Sequence, residues 1–288
     1  MGAFLSMQEN LIKGALLILL SELFLVLSGT VIKQIATELP TESIVFFRNL
    51  LGLVILLPWL MRVGVQGIKT DLLRFHFMRA AVGVTAMSCL YYSWAHLPLA
   101  MAALLKQTAP FFMPLIGYFW LSERLGLRTL LAIFVGFIGV YAVLNPQEGS
   151  LNMAVLIAIF GAALGGLAKV TIRRMSGSES PQRIVFYFAL FSTLLAAIPA
   201  LRVWMTPDST QLMWLALLAG TSTLAQLLLS KGYSFAPAGQ LGAFTYGSVV
   251  FAALLGWWLF AETPALHTCI GIVLISCAGI FAIRARGR

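Results

Sequence analysis

Charge is what this chain has least of. Only 10% of its 288 residues are Asp, Glu, Lys or Arg, while 60% are hydrophobic and the mean hydropathy is +0.94. A soluble domain carries roughly 25% charged residues, and so little polarity could not cover a water-facing surface. Lipid is therefore the solvent for most of the chain. Cysteine and histidine are equally sparse. Cys89, Cys269 and Cys277 have neither disulfide-framework nor metal-site spacing, so they read as small apolar residues. His76, His96 and His267 are scattered at the ends of apolar runs, without paired metal spacing, a nucleophile elbow or a Walker-type phosphate loop. These absences argue against an enzyme, a resident metal or cofactor, and ATP as a direct energy source.

What is present is a series of long apolar runs. A helical span needs about 20 mostly apolar residues, and such runs lie near 11–32, 42–61, 76–95, 98–121, 126–144, 152–172, 183–201, 211–231, 237–260 and 265–283. The expected fold class is all-α integral membrane, with ten transmembrane helices and connections too short to fold alone. The first run is long, lacks a small-residue cleavage site and is followed by nine more, so it reads as a span rather than a signal peptide.

The net charge of +9 could suggest a nucleic-acid partner, but its placement argues otherwise. Of the 19 basic residues, Arg48, Lys106 and Lys169 fall within spans and only Lys33 and Arg202 in the loops of one side; the other 14 face the opposite side. That asymmetry is a positive-inside signal placing both termini in the cytoplasm.

The chain also repeats itself. Ile44-Val45-Phe46-Phe47 recurs as Ile184-Val185-Phe186-Tyr187, Pro98 and Glu123 recur as Pro237 and Glu262, and Gly139-Val140-Tyr141 recurs as Gly279-Ile280-Phe281, all at offsets of 139 or 140. Ordered matches at a nearly constant offset indicate duplication. The expected domains are 1–148 and 149–288, each a five-helix repeat. An odd number of spans inverts the second copy, an architecture frequent in secondary transporters with a midplane site between the halves.

The run from Pro98-Leu99-Ala100 through Ala109-Pro110, Glu123-Arg124 and Gly136-Phe137-Ile138-Gly139-Val140, with its second copy Ala236-Pro237-Ala238, Glu262 and Gly271 through Gly279, resembles the EamA-type branch of the drug/metabolite transporter superfamily. The resemblance covers essentially the whole chain. It implies ten spans, export or exchange of small metabolites such as amino acids, and a cavity lined mainly by spans three, four, eight and nine. Val249 and Ala253 stand where the first copy has Pro110 and Pro114, so the two copies are expected to bend differently.

Polar groups inside spans mark function by default. By the helical rise, Glu22 lies about 16 Å along span one, Arg48 about 9 Å and Lys106 about 12 Å from the outer surface on spans two and four. At the repeat offsets they align with Ala162, Phe188 and Thr245, so the second half folds without those charges. The candidate substrate-binding set is Lys106, Gln107, Glu22, Arg48, Tyr91, Gln226, Thr245 and Tyr246. A purely structural Glu22–Arg48 ion pair is the competing reading, and Lys106 has no acidic residue on neighbouring turns. Lys169 reads as a snorkelling interface residue and Trp94 as part of an aromatic belt. Glu123 and Glu262 read as caps of the helices that follow them, and Gly161 with Gly165 as a face for close helix approach.

Arg48 and Lys106 against Glu22 leave a net positive field that suits a carboxylate- or phosphate-bearing solute; an amino acid would use both signs. The functional expectation is a secondary transporter, exporter or exchanger, of a small polar metabolite such as an amino acid or organic anion. It would work by alternating access in a bacterial plasma membrane, driven by a gradient with protons among the candidates. A channel or facilitator is the alternative. The expected partners are the solute and the bilayer, with no nucleic acid, and the chain is expected as a monomer or homodimer.

Topology is directly testable. Single cysteines at Gln147 or Ser209 should react with an impermeant thiol reagent on intact cells, and cysteines at Ser178 or Gly287 should not. Reversed labelling would overturn both the orientation and the inverted-repeat assignment.

Overall fold

A computed structural model describes residues 2–121, 127–144, 152–175, 178–235, 242–263 and 266–286, and among them the regular structure is entirely helical. In chain order the elements are α1 (Gly2–Ile35), α2 (Thr41–Gly67), α3 (Leu73–His96), α4 (Leu99–Lys106), α5 (Ala109–Leu121), α6 (Leu127–Leu144), α7 (Met153–Met175), α8 (Pro181–Arg202) and α9 (Ser209–Phe235). A 3-10 turn (Gly242–Tyr246), α10 (Gly247–Phe260) and α11 (Leu266–Arg286) follow. Among the described residues six stretches are long and apolar enough to cross a membrane, and 244–260 and 268–278 form shorter apolar helices. The chain is a multi-pass membrane protein. Helix α3 stands where the span 76–95 was expected, but Arg74, His76, Arg79, Thr85, Ser88 and Ser93 dilute its apolarity.

Two of the expected spans depart from a single α-helix among the described residues. The run 98–121 divides into α4 and α5 at Gln107-Thr108. Pro110 has no N–H to give the carbonyl of Lys106, which breaks the α-helical ladder at that point. The chain tightens instead: the N–H of Gln107 donates to Leu104 O, that of Thr108 to Leu105 O and that of Phe111 to Thr108 O, at 2.9–3.0 Å. The second copy has Val249 in place of Pro110 and meets the same requirement with the 3-10 turn before α10.

The helices pack chiefly in the pairs α1 with α9, α3 with α7, α2 with α8, α4 with α10 and α6 with α11. A central apolar core joins Val26 and Ile32 of α1, Trp94 of α3, Leu104 of α4, Phe111 of α5, Leu215 of α9 and Val249 of α10. Trp94 belongs to this core rather than to an interfacial belt. It is 1% exposed, and it fits because Gly29 of α1 leaves it room: a Cβ there would come within 2.8 Å of the indole.

The two glycines expected to permit close approach behave differently. A Cβ at Gly161 would stand 2.5 Å from Cys89 Cβ on α3, while one at Gly165 would meet nothing within 4 Å. Close approach of α7 and α3 therefore rests on Gly161. Gly161→Ala should lower the melting temperature of the purified protein, since overpacking costs about 1–3 kcal/mol. Gly165→Ala should leave it unchanged.

Candidate functional site

The break between α4 and α5 and the 3-10 turn before α10 lie against each other, and side chains from each satisfy backbone groups of the other. The Gln107 Nε2 donates to the carbonyl of Thr245 at 2.5 Å and to Ser248 Oγ at 2.8 Å. In return the Tyr246 hydroxyl donates to the carbonyl of Gln107 at 3.3 Å, and Thr245 Oγ1 reaches Gln107 Oε1 at 3.5 Å. Gln107, Thr245 and Tyr246 are all buried. They were expected to face a solute. Their polar groups join the break between α4 and α5 to the 3-10 turn before α10, because carbonyls freed inside a membrane must find donors.

Beside this junction Lys106 Nζ donates to Glu22 Oε2 at 2.7 Å, with the lysine side chain 17% and the glutamate 6% exposed. Lys106 thus has an acidic partner after all. It sits on α1 rather than on a neighbouring turn of its own helix, a relation that helical spacing cannot show. Lys169 on α7 is exposed yet within electrostatic range of both Lys106 and Glu22.

The competing Glu22–Arg48 pair does not form. Arg48 is buried and donates from Nε to Ser222 Oγ at 2.8 Å and from Nη1 to Asn49 Oδ1 at 2.9 Å. The Tyr91 hydroxyl shares this cluster with Arg48 and Ser222. Gln226 lies one turn beyond Ser222 on α9, half-buried. The eight candidates therefore divide into three groups: a charged pair, a helix junction, and an arginine cluster with Gln226 alongside. Arg79, counted by sequence among the 14 basic residues of the cytoplasmic side, is buried on α3, where Arg48 is within electrostatic range.

Polar links close the bundle at both ends. At one end Lys33 pairs with Glu262 and donates to Leu97 O at 3.2 Å, and the N–H of Leu99 donates to Glu262 Oε2 at 2.7 Å. Glu262 caps α4 across the bundle. Glu123 lies outside the described residues. At the other end Glu179 accepts from Thr70 Oγ1 at 2.6 Å and Arg183 Nη1 at 3.0 Å, with His76 Nε2 3.5 Å away. Burial pushes the Glu179 carboxyl up, but the hydrogen bonds from Thr70 and Arg183 and the positive charge of Arg183 outweigh it and hold it below its ordinary value.

This architecture has known relatives. The profile of the EamA-like transporter family matches residues 12–145 and again 152–284. The chain belongs to that family. It is 30% identical over 280 residues to the pseudopaline exporter CntI of Pseudomonas aeruginosa strain PAO1, covering 95% of this chain and 96% of that one. It is 26% identical over 277 residues to a riboflavin transporter of Vibrio cholerae, covering 94% and 93%. It is 26% identical over 251 residues to an S-adenosylmethionine uptake transporter of Rickettsia prowazekii, covering 87% and 85%. A solved crystal structure shares the fold with a TM-score of 0.64 at 17% identity, covering 96% of both chains.

The helix junction makes a stability prediction. Gln107→Leu removes the amide that joins the Thr245 carbonyl and Ser248 Oγ to α4, while Ser248 Oγ still donates to that carbonyl at 2.9 Å, and a lost buried hydrogen bond costs about 0.5–1.5 kcal/mol. The variant should insert but melt below the wild type in detergent. An unchanged melting temperature would show that the junction does not depend on this amide.

Proposed function

We propose that the chain is a secondary transporter of a small charged metabolite, an amino acid or an organic anion, working by alternating access between two inverted five-helix repeats, 1–148 and 149–288. The observation that carries the reading is the Glu22–Lys106 pair, enclosed beside two broken helices at positions where the second half has Ala162 and Thr245. Discontinuous helices near the midplane are where inverted-repeat transporters hold their solutes. The double match of the family profile supports the two repeats. So does the packing. Exchanging each helix for its repeat counterpart turns the α1–α9 pair into α7–α3 and leaves α2–α8, α4–α10 and α6–α11 unchanged.

In this reading the solute takes its place against Lys106 and Glu22, with Lys169 lining the same space and Arg48 and Tyr91 on the outer side. An anionic group competes for Lys106, an amino group for Glu22, and the proton is the coupling ion carried by Glu22. Relatives are named for export and for uptake, so the family fold serves both directions. The membrane is the bacterial inner membrane with both termini cytoplasmic, and the chain acts as a monomer or homodimer.

Liposomes holding purified protein, screened for counterflow of labelled amino and organic acids, test this directly. Lys106→Ala should abolish counterflow in a folded protein, because removing one partner of a desolvated charged contact costs about 2–5 kcal/mol. Glu22→Gln should keep exchange but uncouple net flux from a pH gradient. Wild-type counterflow in folded Lys106→Ala protein would remove that residue from the site, and conductance at ion-channel rates would replace the carrier with a channel.

A further inference from the structure

Arg79 lies six residues into α3, about 9 Å from its start by the helical rise, and is 6% exposed. Its guanidinium carbon stands 3.6 Å from the centroid of the Phe188 ring on α8. At that separation the flat group lies against the ring face, while its N–H donors radiate in the guanidinium plane and stay clear of the ring. Gly83, one turn along α3, makes the space: a Cβ there would come 2.9 Å from the ring and 3.2 Å from Arg79 Nη1. The side chain is thus seated, but Nε and Nη1 are buried without a hydrogen-bond partner.

A buried cation without a counter-charge is costly, and two carboxylates of the bundle are committed elsewhere. Glu179 is held by Thr70 and Arg183, and Glu22 by Lys106. What lies within electrostatic range of Arg79 is a second buried cation, Arg48, together with the buried His76 one turn before it on α3. Among the described residues neither guanidinium has a carboxylate partner. In-plane donors of this kind match carboxylate and phosphate oxygens.

From this we infer that Arg79 forms a second oxyanion site, on the cytoplasmic side of Arg48, which takes the carboxylate or phosphate of the transported solute. The repeat explains its placement. Phe188 occupies the position of Arg48 in the second half, and Arg79 brings a guanidinium to that position from the first half by leaning on the ring. A solute crossing the bundle meets one guanidinium on either side of its centre. That the anion belongs to the transported solute rests on the carrier reading; the existence of the site does not.

The test uses purified full-length protein in detergent, melted by its tryptophan fluorescence in sodium malonate or sodium phosphate, each against sodium chloride at equal ionic strength. The wild type should melt higher by about 3 °C or more in at least one oxyanion. Malonate alone would assign a carboxylate, phosphate alone a phosphate. Arg79→Met should lose the rise. Arg79→Lys, which keeps the charge without the planar fork, should need at least about tenfold more anion for the same rise, and it decides the matter if Arg79→Met does not fold. A wild type that responds no more to oxyanions than to chloride, or an Arg79→Lys protein with the wild-type response, would overturn the site. Failure of counterflow with the melting response intact would retire the carrier reading and leave this site standing.

Discussion

In lipid the backbone has no water to fall back on, so every carbonyl a helix releases must be met from within the protein. The run 98–121 is broken at Gln107-Thr108, a 3-10 turn at Gly242–Tyr246 lies against the break, and the structure depends on how the freed groups are met. Gln107 sends its amide to Thr245, and Tyr246 sends its hydroxyl back to Gln107. Each half thus completes the backbone of the other. Close packing of α4 on α10 follows, and with it a fixed place beside the junction for the side chain of Lys106.

The charges show a division of labour between the halves. Glu22, Arg48, Arg79 and Lys106 all come from the first half of the chain, while Ala162, Phe188 and Thr245 stand 139 or 140 residues after three of them and hydroxyls such as Ser222 and Ser248 come from the second half. Desolvation makes each buried charge demand a partner. The second half meets that demand mostly with neutral hydrogen bonds and an aromatic face, which suits a surface against which charged groups exchange partners.

Much of this was legible in the sequence, for identifiable reasons. Helix positions followed from apolar runs, because lipid admits few alternatives. Matching segments were legible from constant offsets, and Glu22, Arg48 and Lys106 stood out by their expense in a membrane. Pairings were less accessible. Lys106 finds Glu22 across a separation of 84 residues, and Glu262 caps α4 across 163, distances at which spacing rules carry no information. Gln107 and Tyr246 were recognised as polar groups in a critical place, but the sequence could not say that helix breaks would consume their hydrogen bonds. Arg79 was missed because a basic residue near a span end is ordinarily a loop charge. The available signal was Gly83 one turn away, and its meaning needed the Phe188 ring.

Glu262 holds two things at once: the ammonium of Lys33 and the first free N–H of α4. One carboxylate therefore ties α1, α10 and the start of α4 into a single knot at one rim of the bundle. Withdrawing it would strip a cation of its counter-charge and a helix start of its cap in the same movement, with little to gain from going part of the way. Such a fastening favours two end states over a continuum between them. The rim would part abruptly, like a snap and not a hinge.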